Sequence, residues 1–171
     1  MGSLTKPFFW PDQNMPIFYI DGESRGNEQN SLPRNASIAI AYSESSGQAD
    51  TGKLRIYWQP IGDRTNNEAE YYALLKALAM IAEKWEDKTT GRIQSGFGQI
   101  LIRSDSQLVV YQVNGEWRVE DSKLIELSEK ARDSIEKLGS VRLEWVPREE
   151  NYAGLWLEGK LKPFSIERIR G

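Results

Sequence analysis

Chemistry in this chain is easiest to place on three acids, Asp21, Glu70 and Asp105. The stretch IFYIDGESRGN, residues 17–27, is an apolar, β-prone run that stops on Asp21 and Gly22, so a strand delivers a carboxylate where it meets a turn. Glu23 follows two residues later and shares the Asp21 face if the strand persists that far. Adjacent carboxylates repel unless a cation lies between them, and oxygen ligands suit magnesium, manganese or calcium. The same stretch also reads as a strand ending in a polar turn. The sequence contains neither His nor Cys, which excludes a Ser-His-Asp triad, His- or Cys-ligated zinc, a thiol nucleophile and disulfides. Carboxylates with a bound metal are the natural remaining chemistry.

Glu70 lies in TNNEAEYYALLKALAMIAEKW, the strongest helical segment of the chain. Thr65 is the predicted N-cap, and Glu68 three residues later completes a capping box, which gives Glu68 a structural task. Counting back along the apolar stripe from Trp85 through Ile81, Leu78 and Leu74 arrives at Glu70. This acid therefore heads the inward face, although an acid in a first turn also suits the helix dipole. Asp105 follows the apolar segment Gln99–Ile102 and precedes a short helix over 106–113. It reads either as that helix's N-cap or as a ligand at the carboxyl end of a strand.

The elements that must position these acids follow from periodicity. Alternation over Ala36–Tyr42 and Leu54–Trp58 predicts two strands that form an antiparallel meander with the first. Two amphipathic helical patterns follow the fourth strand, the second capped by Ser122 and ended by Gly139. A fifth strand over 141–146 runs into Pro147, and a last helix spans about 151–158. The fold expected is α/β, a five-stranded mixed sheet of three antiparallel strands plus two parallel, flanked by helices. At 171 residues the chain suits one domain over residues 17–160, with an aromatic arm over 1–16 (Phe8, Phe9, Trp10) and a tail over 161–171. No apolar run reaches membrane-span length, and the net charge of −3 exerts no global pull toward nucleic acid. The expectation is a cytoplasmic monomer with no membrane association and no obligate protein partner.

Four segments in order, IDGESRGN, TNNEAEYYALLKAL, IRSDSQLVVYQVNGEW and LEWVPREEN, closely resemble the type 1 ribonuclease H family. The resemblance covers about 17–151 and implies the same five-stranded ribonuclease H-like fold. It also implies an endonuclease that cuts the RNA strand of an RNA/DNA hybrid, with two Mg²⁺ ions (Mn²⁺ as the alternative) held by four carboxylates. Asp21, Glu70 and Asp105 match three of those acids, with Asp21 bridging the ions. Gly26 and Asn27 match a loop that contacts the RNA backbone, and Asn67 and Gln107 match polar positions near the hybrid's minor groove. The segment NGEWRVEDSK joins two helices directly, so the basic protrusion of some relatives is absent.

The fourth acid is where the chain departs from the family. The pattern of Asn, two residues and Ala-Asp becomes Asn151, Tyr152, Ala153, Gly154 and Leu155, which places Leu155 at the aspartate position. Leucine cannot ligate a cation. Asn151, Glu23 and the more remote Glu158 are the candidates for the fourth group, Glu23 by analogy with type 2 relatives; Asn151 also reads as a helix N-cap. The family's loop histidine is missing too, with Arg148 or Glu149 in its region. Two other readings stand beside the enzyme: a binding module that kept the fold, and a metal-dependent nuclease or integrase-like enzyme with another substrate.

Overall fold

In the computed structural model, the residues described are 15–26, 34–44, 54–94, 98–161 and the backbone of 167–168. The aromatic arm residues Phe8, Phe9 and Trp10, and Asn27, lie outside them. Strands β1 (Ile17–Arg25), β2 (Asn35–Ser43) and β3 (Arg55–Gly62) form the expected antiparallel meander. β4 (Ile100–Ser104) pairs parallel to β1, and β5 (Val141–Trp145) parallel to β4. A two-residue β6 (Glu167–Arg168) adds a sixth strand, parallel to β3, that the sequence pattern did not show. The sheet order is β5-β4-β1-β2-β3-β6.

Successive residues of β1 serve opposite faces. Phe18 and Ile20 join the core beneath three helices, α1 (Asn66–Trp85), α2 (Gln107–Val113) and α3 (Ser122–Leu138). Ile17 and Tyr19 join a smaller core with Ala39, Ala41, Ile56, Leu101 and Ala153, the last from α4 (Tyr152–Leu157). Trp58 is exposed, although it shares a strand face with buried Ile56. Among the described residues no helix is long and apolar enough to cross a membrane.

The capping box of α1 forms as expected: Glu68 N–H donates to Thr65 Oγ1 at 3.1 Å, and Thr65 N–H to Glu68 Oε2 at 2.8 Å. The buried stripe Leu74, Leu78, Ile81 and Trp85 lies against the sheet. At α3 the N-cap is Asp121, one residue before the expected Ser122; its carboxylate accepts from the N–H groups of Lys123 and Leu124 at 2.9 and 3.2 Å. A carboxylate at that position satisfies two orphan donors and complements the helix dipole, which a hydroxyl one residue later cannot do. Gly139, with φ of 83°, ends the helix as predicted.

Candidate active site

The parallel register between β1 and β4 brings the first two acids together. Ile20 pairs with Ser104 at the end of that ladder, so the next residues, Asp21 and Asp105, leave adjacent strands side by side. β1 does not end at Asp21 as expected; it continues along β2 to Arg25, with Asp21 opposite Ala39 and Glu23 opposite Ser37. The Asp-Gly pair stops pairing on the β4 side alone, which opens a notch there. Ser106, not Asp105, caps α2, accepting from Val109 N–H at 3.3 Å. Asp105 is thereby released from the capping role.

Glu70 reaches the same notch from α1 because Gly22 permits close approach. A Cβ on Gly22 would collide with the Ala69 carbonyl of α1. One carboxylate oxygen each from Asp21, Glu70 and Asp105 lie within 4.8 Å of one another, the group of acids among the described residues placed to share a cation. Burial pushes Asp21 up to about 6, with Arg148 opposing and Asp105 reinforcing the rise. Burial also holds Glu70 well above the ordinary carboxylate range, and the Asp21 charge adds to it. Asp21 Oδ2 and Glu70 Oε2 are buried without a hydrogen-bond partner. Arg148 Nη1 is 3.0 Å from that Asp21 oxygen, a charge contact whose alignment does not make a hydrogen bond.

Asn151 is fully buried and stands at the N-cap of α4 as its N-cap reading has it, but its side chain makes no capping hydrogen bond. Its Nδ2 donates to Asp105 Oδ1 at 2.6 Å and to the Ile20 carbonyl at 2.9 Å. With both amide hydrogens committed, Oδ1 is fixed as the free atom, and it has no partner. Three orphaned oxygens in one buried notch form an all-oxygen donor set suited to a hard cation such as Mg²⁺ or Mn²⁺. The residues present fit such an ion.

The other candidates fall elsewhere. Glu23 is outside the three-acid group and accepts from Ser37 Oγ and Arg25 Nη2, both at 3.3 Å. Exposed Glu158 holds Arg148 rather than joining the acids, with Oε1 2.9 Å from Nε and 2.8 Å from Nη2. Gly26, Asn67 and Gln107 are exposed, the latter two at the first turns of α1 and α2. What sequence reasoning missed is the reach of Arg148. It lies in a single 3-10 turn (Arg148–Glu150), and its Nη1 is 2.9 Å from Asp105 Oδ2 as well as 3.0 Å from Asp21. Burial opposes its charge, but Asp21 and Asp105 outweigh that and hold its pKa above the usual arginine value. Glu149 is exposed.

Sheet order, helix placement and the three-acid notch together define a ribonuclease H-like α/β protein. Residues 25–157 match the family described as reverse transcriptase-like. The chain is 34% identical over 133 residues to a ribonuclease HI of Halobacterium salinarum, covering 78% of this chain and 57% of that protein's length. The crystal structure of RNase H1 from that archaeon aligns with a TM-score of 0.62 at 31% identity, over 81% of this chain and 90% of the other. LC11-RNase H1, solved in complex with an RNA/DNA hybrid, aligns with a TM-score of 0.61 at 28% identity, over 80% and 88%. The chain belongs to the type 1 ribonuclease H family.

Proposed function

We propose that this chain is a metal-dependent endonuclease that hydrolyses the RNA strand of RNA/DNA hybrids, leaving a 5′ phosphate and a 3′ hydroxyl. The observation that carries the reading is the buried notch where Asp21, Glu70 and Asp105 converge beside orphaned oxygens, in a chain of this family. A relative with the same fold was solved with an RNA/DNA hybrid. Asp21, Glu70 and Asp105 would hold Mg²⁺ or Mn²⁺. Such ions supply Lewis-acid charge at a phosphate and a water made acidic enough to attack it.

Asn151 holds Asp105 through one amide hydrogen, with the other on the Ile20 carbonyl, and presents Oδ1 to orient a water or complete the cation's shell. We assign the fourth position to Asn151 in preference to Glu23, whose carboxylate is occupied by Ser37 and Arg25. Gly26, Asn27, Asn67 and Gln107 would contact the hybrid backbone and minor groove, where 2′ hydroxyls distinguish RNA from DNA. Leu155 in place of the fourth acid favours one second reading, a binding module that retains the fold. Incubating the folded protein with labelled RNA/DNA hybrid, double-stranded RNA and double-stranded DNA separates the readings. Cutting of the hybrid alone, abolished by EDTA, is expected; hybrid affinity that persists in EDTA without any cutting would establish the binding module.

A further inference from the structure

We propose that Arg148 is a resident cation of the acid cluster and takes the place of the second metal ion, so that the site holds a single divalent ion. The inference rests on the metal-dependent reading above and settles how many ions that site takes. Its first support is geometric. Nη1 of Arg148 contacts Asp21 Oδ2 at 3.0 Å and Asp105 Oδ2 at 2.9 Å, the two acids that leave adjacent strands. With Asp105 Oδ1 committed to Asn151, both oxygens of Asp105 are engaged. The oxygens left for a metal are Glu70 Oε2 and Asn151 Oδ1, both buried without a hydrogen-bond partner, while Asp21 Oδ2 is shared with Arg148.

That anchor is built, not incidental. Nε and Nη2 both lie on Glu158 Oε1, at 2.9 and 2.8 Å, and Lys160 holds the other oxygen of Glu158 at 2.8 Å. Gly154 makes room for the guanidinium: a Cβ there would fall against its Nη1 and Cζ. The substitution that removes the fourth acid lies next to it, since Leu155 immediately follows Gly154.

Charge completes the argument. Asp21, Glu70 and Asp105 bring three negative charges when ionised and Arg148 one positive, a net of −2 that one divalent ion neutralises. Two ions beside Arg148 would leave the notch at +2, since the Glu158 carboxylate on Arg148 is itself offset by Lys160. A buried net charge of that size is costly in a low-dielectric site.

Counting bound Mn²⁺ by electron paramagnetic resonance tests this without relying on turnover. The protein is titrated alone and with an RNA/DNA hybrid carrying phosphorothioate linkages. Wild type should bind one Mn²⁺ in both states. Arg148→Met, which keeps length and removes charge, should bind Mn²⁺ at least about tenfold more tightly, because a repelling charge within a few ångströms is gone. Arg148→Lys should retain the wild-type stoichiometry and affinity. Adding Leu155→Asp to Arg148→Met should create a second ion site. Because the Arg148 side chain is 40% exposed, these variants are expected to fold, and thermal melting checks it. Two ions in wild type, or unchanged affinity in Arg148→Met, would overturn the inference. One ion bound with no cutting of any hybrid would sink the activity and leave the one-ion site standing; hybrid cutting with two ions bound would do the reverse.

Discussion

Asp21 is the residue on which the site's electrostatics turn. Burial raises it to about 6 from 3.8, so the folded, metal-free chain binds that proton more tightly than the unfolded chain does. Its contribution to stability is therefore fully present below 3.8 and lost as pH rises through about 6. The size is up to about 3 kcal/mol, from 1.36 kcal/mol per pKa unit. In EDTA at about pH 8, Asp21→Asn should be more stable to urea than wild type by about 1–3 kcal/mol, the gap closing toward about pH 4. A variant less stable than wild type at the higher pH would contradict this electrostatic reading. Metal binding has the opposite sign, because it displaces protons from Asp21 and Glu70; Mg²⁺ affinity should rise with pH through about 6. Calorimetry in buffers of different ionisation enthalpy would detect the released proton.

Asn151 belongs to the same scale. Its replacement by Ala removes hydrogen bonds to Asp105 and the Ile20 carbonyl, and should cost about 1–3 kcal/mol of stability. Hybrid cleavage should fall on the order of 10- to 100-fold, as when a partner that orients a metal ligand is lost. Glu23→Gln should change cleavage little, since Glu23 lies outside the three-acid group. A large loss there with a mild one at Asn151 would reverse the assignment of the fourth group. The residue types and spacing made Asp21, Glu70 and Asp105 legible, because strand ends and a helical stripe are local patterns. Arg148's place was not legible, because it depends on how a 3-10 turn docks against two strands distant in sequence.

At the scale of elements, the approach of α1 to β1 decides whether Glu70 meets Asp21. Gly22→Ala drives a methyl into the Ala69 backbone and should destabilise the fold by about 1–3 kcal/mol, as overpacking does. It should also weaken Mn²⁺ binding, because α1 carries Glu70 away with it. Wild-type metal affinity in that variant would mean that the contact does not set the site. The start of α3 offers a local check: Asp121→Ala should cost about 1 kcal/mol in chemical denaturation, whereas Ser122→Ala should cost little. Equal losses would contradict the cap assignment. The sequence pattern located this helix but missed its first residue, since Asp121 and Ser122 are both good caps and only the accepted hydrogen bonds choose between them. The Asp21-Gly22 pair misled for a related reason. It signals a turn locally, yet β2 continues to pair past it.

Among the described residues, five longer strands, the two-residue β6 and four α-helices assemble so that two parallel strand ends and one helix start converge. Order and type of those strands were readable from alternation and connection length. The two-residue β6 was not, because so short a pairing leaves no periodic trace. Family membership and the three-acid notch support the proposed chemistry, in which the notch cuts RNA in a hybrid only when it holds a divalent ion. The most direct measurement is cleavage of a labelled RNA/DNA hybrid by wild type and by Asp21→Asn, Glu70→Gln and Asp105→Asn, each with Mg²⁺, Mn²⁺ or EDTA. Wild type should cut in either metal and not in EDTA, with each variant slower by at least about 100-fold while still folded. Folded wild type that leaves the hybrid intact in both metals, or cutting that survives loss of any one of the three acids, would contradict the account.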